Sequence, residues 1–387
     1  MMLRTKLKYI NLIGLPVGRL MCRINLNSVL LKLKRILNVP MLLLKICQRP
    51  IFVFGLWMGL FWFGLPSAYG QEDDKPLFNF SSPRDTTYRR PLFDYLQFKL
   101  DLNTDINSLI TDTGEDDTLL EMAPNEKVLM RLSLDYKFLG VAIDFAPGFL
   151  PDNKDDDLKG ETKFRRLGFR FNLGRTYNIL EYENVQGYYL VGDEPYELLP
   201  ELRTQTYRYK TSYIFGDRFS LRAIKAQTEK QLQSAGAFIP SFEFQFQEYD
   251  LNEEEAGLIG LPFPIREHKM NFVVSGGYSY TWVFWDDFFF NLSGVLGAGV
   301  SLEKDYINNT HAPLDYIMGL GGSMSMGYSS KRFFAGFEVE GSAEEFAYSV
   351  FPYQKSNTAS ILYVGIRLDA PRFIEEPFSW VERKTGF

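Results

Sequence analysis

Hydrophobic and polar side chains alternate with a period of two along most of the chain after residue 93. The first such segment, Asp94 to Asn103, has apolar residues at even positions and polar residues at odd ones: Leu96, Phe98, Leu100 and Leu102 against Gln97, Lys99 and Asp101. In a transmembrane barrel this alternation turns the apolar side chains toward lipid and the polar ones toward the lumen. The segment therefore predicts a membrane-spanning β-strand.

Thirteen segments share this pattern: 94–103, 128–137, 139–146, 166–172, 177–183, 204–215, 219–226, 238–247, 271–284, 288–300, 314–328, 333–342 and 361–368. Most reach the roughly 9 to 11 residues of a tilted membrane crossing, whereas strands of soluble β-sandwiches average about five or six. Aromatic residues near the strand ends are typical of the girdles at a bilayer interface, namely Trp282, Trp285, Phe289 and Phe290. We expect an all-β fold, an antiparallel up-and-down transmembrane β-barrel.

The number of strands must be even if both chain ends lie on the same side of the membrane. Thirteen segments are therefore one too many or one too few. We place this error in the count between Gln227 and His268, where either one segment is not a crossing or residues 249–266 hide another strand. We predict twelve strands, with fourteen as the alternative.

The connections between these segments alternate in length. Tight turns are expected at 137–138, 174–175 and 216–217, and long polar loops at 105–126, 147–161 and 184–203. Outer-membrane barrels have short periplasmic turns and longer external loops. The barrel is therefore predicted to span residues 94–368, with periplasmic segments at 71–93 and 369–387.

The N-terminal 70 residues have the features of an export signal. Lys45 and Arg49 precede an apolar core from Ile51 to Leu65, and small residues follow up to Gly70. The alternative interpretation is a transmembrane anchor. Such an anchor needs roughly 20 apolar residues, however, and this core has only fifteen. We predict cleavage between Gly70 and Gln71, and translation starting at Met41.

Composition narrows the possible partners of the mature chain. Both cysteines, Cys22 and Cys47, precede the cleavage site, so neither disulfides nor thiolate metal sites are expected in the mature protein. Of the 42 basic residues ten lie in residues 1–70, which leaves 32 against 48 acidic residues and a net charge of −16. This acidic balance disfavours nucleic acid as a partner.

Several short stretches resemble the uncharacterised family catalogued as domain of unknown function 4421. They are Tyr136 to Gly140, Lys159 to Lys163, Gln186 to Tyr189, Pro200 to Thr204, and Gln227 to Gln231 followed by Ser234-Ala235-Gly236. None of them is a catalytic motif. The resemblance implies an outer-membrane barrel and no particular reaction.

Candidate chemistry is sparse. His268 and His311 fall in predicted turns, and we interpret them as solvated loop residues rather than catalytic bases. The acidic run Asp152 to Asp157 offers oxygen ligands for a cation such as calcium, but it lacks the spaced glycine of a calcium loop, so we interpret it as a solvated or lipopolysaccharide-facing loop. No catalytic residue, metal site or cofactor is predicted.

The polar segment Gln227 to Gly236 lies where the strand count fails and shows no alternation. Folded into the lumen, it would narrow a pore; as an ordinary outer loop, it would not. In the first case Gln227 belongs to the plug, and we expect Glu229, Lys230 and Gln231 to meet the inward-facing cations Arg208, Lys210 and Arg222.

Three functional classes remain open for a barrel in the outer membrane of a Gram-negative bacterium. The first is a passive channel for small polar solutes, or a barrel with a partly plugged lumen; the second is a structural or surface-interaction barrel. The third, an outer-membrane lipid or peptide hydrolase, is disfavoured, so we do not expect an enzyme. The expected partners are outer-membrane lipid, lipopolysaccharide and the barrel-assembly machinery; the sequence does not indicate an oligomeric state.

Overall fold

The computed structural model describes residues 84–385 except for 113–118, 126, 151–152, 155, 193–194, 262–263, 306–309, 312–313 and 348–353. The predicted export signal, the Gly70–Gln71 cleavage site and the start at Met41 lie outside the described residues, as do Asp152 and Asp155 of the acidic run.

The described chain is almost entirely β-structure. In chain order the strands are β1 (Arg89–Pro91), β2 (Tyr95–Asp112), β3 (Leu119–Pro124), β4 (Val128–Tyr136), β5 (Leu139–Phe145), β6 (Lys163–Leu173), β7 (Thr176–Leu190), β8 (Leu198–Tyr213), β9 (Glu229–Gln231), β10 (Ala235–Leu251), β11 (Ile265–Phe284), β12 (Phe288–Asp305), β13 (Thr310–His311), β14 (Asp315–Ser329), β15 (Phe333–Phe346) and β16 (Gln354–Asp369). The helices are α1 (Asp156–Lys159), α2 (Leu221–Ile224), α3 (Glu253–Leu258) and α4 (Arg372–Thr385).

Twelve of the described strands form one closed antiparallel barrel. Their order around the barrel is β2, β4, β5, β6, β7, β8, β10, β11, β12, β14, β15 and β16, and β16 pairs with β2 to close it. A closed barrel has no unpaired edge, so every wall strand has a hydrogen-bonding neighbour on both sides, as a lipid environment demands. The predicted twelve-stranded transmembrane barrel is confirmed.

Side chains alternate between the two faces of the wall as the periodicity predicts. In β2 Gln97 and Asp101 are fully buried inside the barrel, whereas Phe98 is 42% exposed on its outer face. On β16 the outward Leu362, Val364 and Leu368 are exposed in the same way. The outer surface is therefore an apolar belt, and the polar positions face the lumen.

The two ends of the barrel differ in their connections. The end at which β2 begins and β16 ends, here called the near end, has short turns at 137–138, 174–175 and 285–287. Gly174 adopts a positive φ of 58°, the conformation that two-residue hairpin turns favour and that glycine reaches without strain. The opposite end, here called the far end, carries the longer loops.

Several predicted boundaries are wrong. Residues 219–226 are not a strand, because they contain α2, so the extra segment lies just before the interval in which we placed the discrepancy. Residues 249–266 hide no further strand; they hold the end of β10, α3 and the start of β11. The turn expected at 216–217 does not connect two strands directly, since 21 residues separate β8 from β10.

The wall strands also extend beyond the predicted segments on the far side. The loop expected at 184–203 shrinks to residues 191–197, because β7 continues to Leu190 and β8 begins at Leu198. Phe289, predicted to lie in an aromatic girdle, is buried on the inner face instead. His268 lies within β11 rather than in a turn, and β13 contains His311, whose side chain is outside the described part.

Strand β3 alters the wall at the far end. It pairs with β2 through Leu109 and Met122 and with β7 through Met122 and Leu190, and so passes above the short strands β4, β5 and β6. In the described residues the barrel therefore has twelve strands near its middle and ten at the level of β3. No helix of the described chain is long and apolar enough to cross a bilayer.

Candidate functional site in the barrel lumen

The segment between β8 and β10 leaves the wall at the near end and folds back into the barrel. Its middle, residues 219–231, is here called the plug and contains α2 and β9. Strand β9 pairs with β1 rather than with a wall strand, through Arg89 with Gln231 and Pro91 with Glu229. The plug is therefore a separate layer inside the near end, and it is hydrogen-bonded to the stretch of chain that precedes β2.

A local capping interaction explains why the plug begins with a helical turn. The Ser220 side chain accepts a hydrogen bond from the Ala223 backbone nitrogen at 3.2 Å, which is the usual N-cap arrangement. Its hydroxyl also donates to the Glu229 carboxylate at 2.6 Å. One serine thus starts α2 and joins it to β9.

Glu229 is buried among arginine side chains. Arg84 approaches its carboxylate at 3.3 Å, Arg89 at 3.6 Å and Arg222 at 3.8 Å. Burial alone raises the pKa of a carboxyl, but the three guanidinium groups outweigh this effect and hold the pKa of Glu229 below its ordinary value. Burial lowers the pKa of Arg222 to about 10, with Glu229 opposing that shift.

The plug contacts opposite walls of the barrel. The Gln227 side-chain nitrogen donates to the Tyr177 hydroxyl at 2.9 Å on β7, and the Lys225 ammonium contacts Glu338 at 2.5 Å and Glu340 at 3.2 Å on β15. Strands β7 and β15 are six places apart in either direction around the twelve-strand ring. The plug therefore crosses the bore.

Apolar contacts hold the plug in the same position. Phe219 and Ile224 pack in one buried cluster with Tyr177 of β7, and Ala226 packs with Phe334 of β15 and Tyr363 of β16. Lys230 adds an ion pair to Asp287 in the turn between β11 and β12.

The middle of the lumen contains a network of ion pairs centred on Arg166 of β6. Arg166 contacts Glu183 of β7, Asp144 of β5 at 3.3 Å and Asp105 of β2. Arg131 of β4 binds the same Asp144 through two hydrogen bonds of 2.6 and 2.7 Å. Paired in this way, the buried charges avoid the penalty of isolated ones.

The wall that faces this network is lined by small side chains. Strands β11, β12 and β14 lie opposite β4, β5 and β6 in the ring. Their inward positions at mid-height are mostly glycine and serine: Ser275, Gly277, Ser293, Gly297, Gly299, Gly319, Gly321 and Ser323. The long charged side chains on one wall thus face a wall that projects little into the bore.

An apolar cluster lies at the far end of the lumen. It combines residues of β2, β3, β7, β8, β10, β11 and the α3 region: Leu109, Met122, Val185, Tyr188, Leu199, Leu202, Tyr249, Leu251, Ala256, Ile259, Leu261 and Ile265. Beside it Lys269 is fully buried, 3.1 Å from Glu303, with its ammonium over the ring of Phe346. Polar and charged residues therefore line the middle of the lumen, between the plug and this cluster.

The predicted site residues come together only in part. Arg222 meets Glu229, but it belongs to the plug and not to a wall strand. Arg208 and Lys210 do not contact the plug segment; they pair with Glu181 and Glu243 on neighbouring strands.

The remaining predicted residues bind within or near the plug. The Gln231 side chain accepts a hydrogen bond from the Ser220 nitrogen at 2.9 Å and donates to the Arg218 carbonyl at 2.7 Å. Sequence reasoning missed Lys225, because it fell in the segment taken for a strand, and Arg89, because it precedes the barrel. The odd strand count was the signal that pointed to this region.

Other candidate chemistry is peripheral. His268 lies on the outer face of the wall, where its Nε2 is 3.5 Å from Glu248. Within the described ranges no group of three or more His, Cys, Asp or Glu residues is placed to hold a metal ion.

Fold and lumen together define a transmembrane β-barrel with an internal plug. Residues 83–368 match the family described as Domain of unknown function (DUF4421), and the chain belongs to that family. No curated protein matches the sequence.

Solved structures with a similar course of the chain are bacterial outer-membrane proteins. The COG4313 outer membrane channel from Pseudomonas putida F1 aligns at 7% identity and a TM-score of 0.36, over 73% of this chain and 98% of that one. The outer membrane protease OmpT from Escherichia coli aligns at 6% identity and a TM-score of 0.32, over 73% and 98%. The KdgM porin aligns at 8% identity and a TM-score of 0.24, over 69% and 98%.

Proposed function

We propose that this protein is an outer-membrane channel for small polar solutes, closed by its plug in the conformation described here. The observation that carries the proposal is the plug itself: residues 219–231 cross the bore from β7 to β15 without belonging to the wall. Such a segment can move while the barrel stays intact.

The proposed location follows from the surface of the barrel. A closed ring of strands with an apolar outer belt satisfies its backbone in lipid, and barrels of this kind belong to the outer membranes of Gram-negative bacteria. The near end, at which β2 begins and β16 ends and which has the short turns, is then periplasmic. Lipid, lipopolysaccharide and the barrel-assembly machinery are the partners that this location implies.

The lining of the lumen supports passage of polar rather than apolar solutes. At mid-height, glycine and serine of β12 and β14 face the ion pairs around Arg166. A solute between these walls meets backbone, hydroxyl groups and paired charges.

The attachments of the plug support a reversible closure. Its strand β9 is paired with β1, while its links to the wall are side-chain contacts such as Lys225 with Glu338 and Gln227 with Tyr177. Separating the plug from the wall therefore breaks no ladder of the barrel.

Conductance in planar lipid bilayers tests the proposal. We compare the wild type with Lys225→Glu, which sets a carboxylate against Glu338 and Glu340 and should repel the plug from β15. Lys154→Glu is the matched control, because it makes the same charge change at an exposed position in a far-end loop. Heat-modifiable migration in gels confirms that each variant is folded.

We expect Lys225→Glu to open more often, or to conduct more, than the wild type and Lys154→Glu. Folded protein that conducts in none of the three forms would refute a channel. It would favour the second candidate, a structural or surface-interaction barrel, which the buried apolar cluster at the far end, with Leu199 and Leu202, also supports.

A hydrolase acting on lipid or peptide is the third candidate, and we propose that the protein is not an enzyme. Assays of lipid and peptide hydrolysis with the same folded preparation test this separately. Turnover above that of a denatured sample would overturn it.

A further inference from the structure

Helix α4 follows β16 and returns to the outside of the barrel wall. The Phe378 ring packs edge-to-face on Tyr136, with 4.8 Å between ring centroids, and lies 5.4 Å from Phe138. Glu382 adds an ion pair of 2.8 Å to Lys137 in the turn between β4 and β5. Three successive residues at the near-end rim thus bind one side of the helix.

The face of the wall that α4 covers is the lipid-facing one. Along β4 the outward side chains of Leu132 and Leu134 are 52% and 39% exposed. Tyr136 lies two residues further on the same face but is only 5% exposed, while Phe378 packs against its ring. The helix therefore lies at the edge of the apolar belt and not inside the lumen.

The side of α4 that points away from the barrel carries exposed apolar residues. Phe373 is 76% exposed and Trp380 is 56% exposed, and the exposed Pro377 lies between them. At about 100° per residue these three lie within roughly 60° of one another and form one stripe, roughly 100–160° around the helix from Phe378. Single exposed apolar side chains are common, but large ones gathered in one stripe indicate a surface that contacts protein or membrane.

The polar residues occupy the remaining side of the helix. Glu375, Glu376, Ser379, Glu382 and Arg383 fall in one arc, between the Phe378 side and the Trp380 side, and the exception by sequence position is Lys384 in the last turn, which falls on the stripe side. Pro377 removes one helical hydrogen bond, which leaves a carbonyl that water or a headgroup can satisfy. This division is that of a helix lying in a membrane interface, with one side wet and one side in the acyl boundary.

We propose that α4 is an interfacial anchor that inserts Phe373 and Trp380 into the lipid leaflet at the near end of the barrel. Lipid covers the stripe, because the helix packs on the lipid-facing surface of β4 at the near-end rim and extends that surface. Tryptophan and phenylalanine are the side chains that such interfaces favour. The anchor holds the end of β16, the last wall strand, at a defined depth.

Depth-dependent fluorescence quenching tests this inference. The full chain has five tryptophans, so Trp57→Phe, Trp62→Phe, Trp282→Phe and Trp285→Phe together leave Trp380 as the reporter. The protein is folded into phosphatidylcholine vesicles with bromine on acyl carbons either near the glycerol or near the chain end. Acrylamide measures access from water.

The matched control moves the reporter to the wet side of the same helix. It combines Trp380→Phe with Ser379→Trp in the same background, since Ser379 faces the polar arc. We expect bromine near the glycerol to quench Trp380 about twofold more strongly than bromine near the chain end, as for a side chain buried roughly 5–10 Å into the interface. The control should respond more to acrylamide and less to either lipid.

Equal acrylamide quenching of the two reporters, with no quenching by brominated lipid, would overturn the inference and leave a soluble partner as the cover of the stripe. Stronger quenching from the chain-end position would equally exclude an interfacial depth. If the variant with four substitutions does not fold, wild type and Trp380→Phe are compared instead. The difference between them in quenching by brominated lipid is then the contribution of Trp380.

Discussion

The two faces of β14 should respond in opposite ways to a charge, and adjacent residues allow the comparison. Met324 points outward and is 42% exposed in the apolar belt, whereas Ser323 points inward and bonds to Ser293 at 2.6 Å. Ser323 is also the register partner of Glu340 on β15. Met324→Arg therefore places a cation in lipid, and Ser323→Arg places one beside a carboxylate.

The position of Met324 sets the expected cost. Outward Tyr316 and Tyr328 mark the two ends of the belt on this strand, and Gly322 lies midway. Met324 is then displaced from the midplane by about 5 Å, at ~3.3 Å per residue and ~40° of tilt. An arginine there should cost about 2–3 kcal/mol, or roughly 30- to 150-fold in the folding equilibrium. Ser323→Arg loses one hydrogen bond, worth about 1 kcal/mol, and gains the attraction of Glu340.

The assay follows the folded fraction in lipid vesicles by heat-modifiable migration, and the urea midpoint of unfolding for both variants in the same lipid. We expect a large loss for Met324→Arg and a change within about 1 kcal/mol of zero for Ser323→Arg. Equal losses, or a greater loss for Ser323→Arg, would show that the faces of β14 are reversed or that this strand does not cross lipid.

Three further predictions address the plug, the lumen and processing. Because the folded pKa of Glu229 is depressed, its contribution to plug docking is complete above the unfolded pKa and is lost as the pH falls below about 4. Proteolysis of residues 219–231 should then accelerate, and Glu229→Gln should reduce this pH dependence. Arg166→Met leaves Asp105 and Glu183 buried without their cation and should cost about 3–5 kcal/mol in urea unfolding; a neutral result would mean that water already solvates this cluster. Mass spectrometry of membrane-isolated protein should find an N-terminus at or within a residue or two of Gln71, and retention of residues 51–65 would contradict the signal-peptide interpretation.

Strand positions and faces could be predicted because they depend on local sequence. A residue that faces lipid must be apolar and its neighbour in the lumen can be polar, so each crossing carries its own period-two signal, as in β2 and β16. Beyond the membrane both faces meet water or protein and the contrast fades. This is why the alternation predicts β7 and β8 to be shorter at the far end than they are.

The plug shows where that reasoning fails. Residues 219–226 alternate like a strand, with Phe219, Leu221 and Ala223 separated by Ser220 and Arg222. Nevertheless, Ser220 caps a helical turn there, and the apolar side chains pack against Tyr177 inside the barrel instead of facing lipid. Periodicity reports which residues share a face, but not what that face contacts.

The sequence alone determined a barrel, its approximate strand number and the side of the wall on which most residues lie, since these follow from patterns within single segments. Only the tertiary structure decided which charges meet. Arg166 binds carboxylates from β2, β5 and β7, which lie up to 61 residues away, while Arg208 and Lys210 bind strand neighbours and not the plug. These partners depend on strand register and on closure of the ring, and neither is encoded in the spacing of any one strand.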